Sequence, residues 1–251
     1  MSNTLLADCL NLMRELSIYC DGIIESFPTN KDKQIGFTIV VYFKIINIFQ
    51  GIIILFQNNL YQPAEQLLRC CLETTCILLI SIENKVFLHQ YDLYENTYQE
   101  CQRLKTFKAL GNTEINGAKI NNEIKKIEKR IKDEKIINLT SNYLLKTSGL
   151  HKDFKVPYHI LSESIHSNLG DLSRHLLFDD DGKWIGACSQ PVLDENNKLA
   201  LQLTATNLII ICLKHFSSFL GLKNESKIEY FESSFLSIDQ KLSELIREKN
   251  P

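Results

Sequence analysis

Residues 61–82 read YQPAEQLLRCCLETTCILLISI, and this stretch decides the fold. Its apolar positions, among them Leu67, Leu68, Cys71, Leu72, Leu78 and Leu79, go nearly all the way round a helix, so a helix here has no broad face left for water. Such a helix belongs at the centre of a bundle. It starts after the Asn58-Asn59 pair, accepts Pro63 in its first turn, where the missing N–H is an orphan anyway, and runs to about Ile82.

The flanking segments repeat the pattern. Thr4 to Phe27 carries Leu5, Leu6, Cys9, Leu12, Met13 and Leu16 at helical spacing and closes at Pro28. Thr29 or Asn30 is then positioned to cap a long helix reaching about Asn59. Its segment Ile35 to Gln57 is apolar enough to raise a membrane span, but Lys44, Asn47 and Gln50 recur every third residue, a stripe that lipid would penalise. A core helix, with no membrane partner, is the expectation.

A fourth helix is expected from Asn84 to Gly111 with Phe87, Tyr91, Tyr94, Tyr98 and Leu104 along it. Between Glu114 and Lys135 charge takes over, and Ile120, Ile124, Ile127 and Ile131 form one seam of a solvated arm. Thr147 to Val156 reads as a loop, with Pro157 opening a helix from Tyr158 to about Leu177. Asp179-Asp180-Asp181-Gly182 is a turn signal, and with Trp184 beyond it a short hairpin or flap near residues 178–192 is expected. Leu199 to Leu220, stopped by Gly221, and the amphipathic Glu225 to Glu248 complete an all-α, multi-helix bundle of seven to eight helices in one domain spanning residues 1–251.

Composition narrows the function classes. Glycine (10) and proline (5) are scarce, and the net charge of −2 gives no general basic surface for duplex nucleic acid. Eight cysteines occur without a Cys-x-x-Cys pair, most of them in apolar helical runs, so they read as reduced thiols of a cytoplasmic protein rather than as metal ligands. There is no Gly-rich phosphate loop, no Gly-x-Ser-x-Gly elbow and no His-Glu-x-x-His, and no cofactor or metal is implied.

Two polar lines interrupt the apolar helices. Gln62, Gln66, Arg69 and Glu73 follow one another by four, three and four residues on the central helix. His159, Ser162, His166, Gly170 and Ser173 make a second line, with Ser167, Asn168 and Arg174 beside it. If the helices face each other, Arg69 can hold a phosphate by its fork, Glu73 a histidine tautomer, and His166 can transfer a proton. Gln66, Ser162, Ser167, Asn168 and Arg174 would then contact the substrate, RNA or another phosphate-bearing ligand. The plainer alternative makes Arg69 and Glu73 an ion pair that pins the helix to its neighbours.

The phrases YQPAEQLLRCCLET (Tyr61 to Thr74) and LSESIHSNLGDLSRHL (Leu161 to Leu176) together resemble an uncharacterised family of bacterial helical proteins, a domain of unknown function, over Phe37 to Leu220. That family is similar in outline to the HEPN superfamily, whose helical bundles often dimerise and act as ribonucleases in toxin and antiphage systems. The resemblance implies a homodimeric defence or stress-response protein, a metal-independent ribonuclease-like effector, with Arg69, Glu73 and His166 in its site. The superfamily's usual arginine followed four to six residues later by histidine is absent, since Arg174 is followed directly by His175, so a site has to be assembled from separate helices. The alternative is a non-catalytic helical module that binds a partner protein or a small ligand through the same cleft.

Overall fold

The computed structural model describes residues 2–23, 32–110, 117–163, 173–188 and 193–249, and over these it is an all-α bundle with one small hairpin. Helices α1 (Ser2–Ile23), α2 (Lys33–Gln57) and α3 (Tyr61–Glu83) are followed by α4 (Phe87–Leu93), one π-helical turn (Tyr94–Tyr98) and α5 (Gln99–Ala109). Then come α6 (Gly117–Asp133), α7 (Ser141–Thr147) and α8 (His151–Glu163), strands β1 (Leu176–Phe178) and β2 (Trp184–Ala187), and the long helices α9 (Glu195–Leu220) and α10 (Glu225–Lys249).

Helix α3 is central, as its apolar circumference requires. It lies along α2, touches α9 on the same side, and meets α7 and α8 on the other. Leu68, Cys71, Leu72, Thr75 and Cys76 are buried to 1% exposure or less. Opposite them, Tyr42 of α2 stacks on Phe216 of α9 with ring centroids 3.9 Å apart and planes within 4°. Offset aromatic stacking of this kind adds about 1 kcal/mol to the burial of the two rings.

The helix ends follow local chemistry. Asp32, rather than Thr29 or Asn30, caps α2, its carboxylate accepting from the Gln34 and Ile35 amides at 2.7 and 3.3 Å. Asp194 caps α9 in the same way, and α9 stops at Gly221 in the left-handed region (φ 66°), where glycine carries no Cβ penalty. Lys44 and Asn47 of the α2 stripe are exposed and Gln50 half-buried; Val40 and Ile54 are also exposed, at 64% and 57%, while Val41, Tyr42, Ile45, Ile46, Phe49, Ile52 and Ile53 pack inward. Helices α2 and α9 are both long and apolar enough to cross a membrane by length and composition, yet 44% and 61% of their most apolar windows are buried within the bundle.

The fourth helix is expected as one piece and runs without a break from Phe87 to Ala109, with one π-helical turn at Tyr94–Tyr98 inserting an extra residue between α4 and α5. Two expectations fail. Thr147 to Val156 is not a loop: Thr140 caps a short helix α7, Gly149 turns the chain at φ 79°, and α8 starts at His151 with Pro157 inside it. Leu150, Phe154 and Leu161, at most 6% exposed, anchor that helix, and their burial outweighs the hydrogen bond that proline removes. The helix expected to reach Leu177 does not, since Leu176–Phe178 is a strand paired antiparallel with Trp184–Ala187.

Of the remaining readings, the α6 seam, the α10 seam and the hairpin turn hold, and the closure of the first helix at Pro28 lies outside the described residues. Ile124 is the buried residue of the α6 seam, and Ile228, Phe231, Ile238 and Leu242 of α10 face the core against α1 and α9. The turn at Asp179 to Gly182 closes the hairpin, with Gly182 at φ 75° and the Lys183 amide donating to the Asp179 carboxylate at 2.8 Å. The Gly111 cap and residues 189–192 of the expected flap lie outside the described residues.

Candidate functional site

The first polar line does form one face of α3, and it looks towards α7, α8 and the root of the hairpin. Arg69 and Glu73 pair within the helix at 3.2 Å. The pair is extended across the fold: an Arg69 Nη2–H donates to the Tyr158 hydroxyl at 2.9 Å, that hydroxyl donates to Glu73 Oε1 at 3.1 Å, and the Ser141 hydroxyl donates to the same oxygen at 2.7 Å. The guanidinium carbon also stands 5.3 Å from the centre of the Tyr158 ring. Burial opposes the charge on Arg69, but the hydrogen bond to Tyr158 and the field of Glu73 outweigh it, and the net effect holds the guanidinium above its ordinary range. Each charged group of the cluster answers another, while the buried Nε of Arg69 has no hydrogen-bond partner.

One turn earlier on α3 stands Glu65, with a side chain only 4% exposed. Its two oxygens accept from Arg174 in a fork, Nη1 to Oε2 at 3.0 Å and Nη2 to Oε1 at 2.8 Å. A buried carboxylate requires such a partner, because an isolated ion costs several kcal/mol to desolvate. Arg174 was expected to contact substrate, and the structure gives its fork to Glu65. Gln66 points outward and is exposed, Gln62 is half-buried, and the Ser162 hydroxyl donates to the Tyr158 carbonyl at 2.8 Å. His166, Ser167, Asn168 and Gly170 lie outside the described residues.

The residues that sequence reading missed are Glu65, Ser141 and Tyr158. Glu65 carries a signal, since Glu65, Arg69 and Glu73 continue one line at four-residue steps. Tyr158 likewise precedes Ser162 by one turn on the second line. Ser141 carries none, because the whole of α7 went unread.

Beside the Glu65–Arg174 pair lies a cavity of about 440 Å³ between α8 and α9, walled by Val156, Pro157, Ile160, Leu161, Leu193 and Leu201. Glu65, Arg174, Asn197 and Thr204 supply its polar groups. Past Arg174 the chain enters the hairpin, whose apolar side chains face water: Phe178 is 53% exposed, Trp184 61% and Ile185 62%. Phe178 pairs directly with Trp184 across the strands.

Six of the eight cysteines are buried. Burial pushes the thiols of Cys9, Cys20 and Cys71 up to about 12 and that of Cys76 to about 11, so they are protonated and inert at neutral pH.

No curated protein and no solved structure matches the chain. Residues 37–183, which hold Glu65, Arg69, Glu73, Ser141, Tyr158 and Arg174, match the model of a family of unknown function, DUF5677, and the chain belongs to that family.

Proposed function

We propose that this chain is a non-catalytic interaction module of the cytoplasm that docks a partner protein through the face of its hairpin. The observation that carries this reading is the exposure of Phe178, Trp184 and Ile185 together on two short strands. Aromatic and aliphatic side chains on an isolated hairpin gain nothing from water, and a two-stranded ribbon is marginal by itself, so a partner surface stabilises it. Asp179, Asp180 and Asp181 at the tip favour a partner whose apolar patch is ringed by basic groups.

The pairing within the polar cluster supports the same side, although Arg69 Nε is buried with no hydrogen-bond partner. Arg69 and Glu73 answer each other, Tyr158 and Ser141, and the fork of Arg174 is given to Glu65. A group poised to bind a phosphate keeps its fork for the ligand. The second reading is an HEPN-like, ribonuclease-like effector of host defence or stress response. It is favoured by the convergence of Arg69 and Glu73 with α8, the helix that leads towards His166.

The test expresses the full chain, Phe178→Asp, Trp184→Asp and His166→Ala in cells, follows growth and total RNA, and recovers bound protein at low and high salt. The interaction reading expects intact RNA and one protein retained by the wild type at low salt, released by salt, and absent from both hairpin variants. RNA fragmentation that His166→Ala abolishes and the hairpin variants leave unchanged overturns it in favour of the ribonuclease.

A further inference from the structure

Residues 103–110 read RLKTFKAL, three cations and no anion around Leu104, Phe107 and Leu110. Gln99, Gln102, Arg103, Thr106, Phe107 and Leu110 recur at helical spacing and so share one face of α5 and its C-terminal cap. They line an open depression of about 340 Å³. At its C-terminal end Phe107 is 56% and Leu110 69% exposed, an apolar pair that gains nothing from water.

Charge on this arm is one-sided. Helices α5 and α6 carry nine Lys and Arg against four Asp and Glu, in a chain whose net charge is −2. Four of the nine are answered within the arm or its end: Arg103 by Glu100, Lys105 by Glu128, Lys126 by Glu123 and Arg130 by Glu134. The excess rests on Lys108, Lys119, Lys125, Lys129 and Lys132, which are exposed and form no ion pair among the described residues. Lys125, Lys129 and Lys132 follow by four and three residues, so they make one line along α6.

The hairpin has the complementary chemistry. Beside its exposed Phe178, Trp184 and Ile185 it carries three aspartates against the single Lys183. Asp179 is used by the turn, accepting from the Lys183 amide, whereas Asp180 and Asp181 are exposed and form no ion pair among the described residues. Within one chain α5 packs on the π-helical turn and on α6, and the strands pack on each other, so both surfaces stay open. Apolar groups beside unpaired lysines match apolar groups beside unpaired carboxylates, and opposite charge at the rim steers and orients such an encounter.

We propose that the hairpin of one copy docks on the α5–α6 arm of a second copy of this chain, Phe178 and Trp184 against Phe107 and Leu110, Asp180 and Asp181 towards the unpaired lysines. This assignment rests on the hairpin being a docking face and names what it docks on. Both surfaces are small, so the contact is weak and reversible.

The test is sedimentation equilibrium of the full chain at neutral pH in low and high salt, with the fold of each variant checked by circular dichroism. The wild type is expected to self-associate at low salt and at least tenfold more weakly at high salt. Phe107→Asp, the arm variant Lys108→Glu with Lys125→Glu and Lys129→Glu, and the hairpin variant Asp180→Lys with Asp181→Lys are each expected to weaken association at least tenfold. An equimolar mixture of the arm and hairpin variants is expected to recover it to within threefold of the wild type, since each hairpin then meets an arm of opposite charge. That recovery also shows both variants to be folded. A wild type that stays monomeric at low salt, association that Phe107→Asp leaves unchanged, or a mixture that does not recover overturns the proposal. A monomeric wild type whose hairpin still retains another protein overturns self-association alone, whereas association that Phe178→Asp and Trp184→Asp leave intact overturns the hairpin reading as well.

Discussion

The two sides of α3 are built from the same helix and obey different rules. Towards α2 and α9 it presents Leu68, Cys71, Leu72 and Thr75, sealed to 1% exposure or less, and its polar atoms are answered close by: the Thr75 hydroxyl donates to the Cys71 carbonyl at 2.9 Å and lies 3.1 Å from the Cys212 sulfur. Towards α7, α8 and the hairpin root it presents Glu65, Arg69 and Glu73, whose partners Arg174, Ser141 and Tyr158 stand 68 to 109 residues away. The apolar side gains free energy from area and tolerates approximate fit. The charged side depends on particular pairs, because a buried ion left without its partner is penalised more than the pair is worth.

Alkali attacks the buried thiols of α1 and α3 first and gives the largest effect. The thiols of Cys9, Cys20 and Cys71 are raised from 9.0 to about 12, and that of Cys76 to about 11, mainly by burial. The folded chain keeps these protons while the unfolded chain releases them, so their contribution is complete below pH 9.0 and is lost as pH rises towards 11 to 12. Each thiol contributes up to about 1.4 kcal/mol per pH unit in that window. Urea unfolding at pH 8, 9 and 10 is expected to show a flat stability to about pH 9 and a steep fall beyond it.

Next in size is Arg174→Ala, which strands Glu65 at 4% exposure and is expected to cost about 3 kcal/mol in urea unfolding. Replacing both members by Leu and Met is expected to restore stability to within about 1 kcal/mol, since apolar groups of similar volume substitute well for a buried pair. A double variant as unstable as the single one would show that this side of α3 works by packing, like the other.

Arg69→Ala and Tyr158→Phe act on a cluster that water still reaches, with side chains of Arg69 and Glu73 22% and 29% exposed. Each is expected to lower stability by only about 1 kcal/mol, and the pair of changes by less than the sum, because they share Glu73. A double-mutant cycle reads that coupling. Smallest is Lys105→Ala, which breaks the 2.8 Å bridge to Glu128 between α5 and α6, both side chains nearly half exposed. A few tenths of a kcal/mol is expected.

Legibility followed the same division. The core position of α3, the extents of α2 and α9 and the seam of α10 were readable because burial of a stripe or of a whole circumference imposes a period on the chain. The polar line Gln62, Gln66, Arg69 and Glu73 was readable as a line, but its partners were not, because nothing local to Glu65 or Glu73 points to Arg174, Ser141 or Tyr158. Helix α8 was misread for a related reason. Pro157 carries a strong local veto, and the burial of Leu150, Phe154 and Leu161 that overrides it exists only once α8 lies against the core.

By itself, then, the sequence determined an all-α bundle centred on residues 61–82 and a hairpin turn at Asp179 to Gly182, since helical period and turn chemistry are local properties of a chain. Tertiary structure alone decided that Glu65 faces Arg174, that Tyr158 joins Arg69 to Glu73, and that a cavity stays open between α8 and α9. Those outcomes depend on which surfaces meet, and the pairing of buried charges is settled by where the surrounding apolar area can be buried.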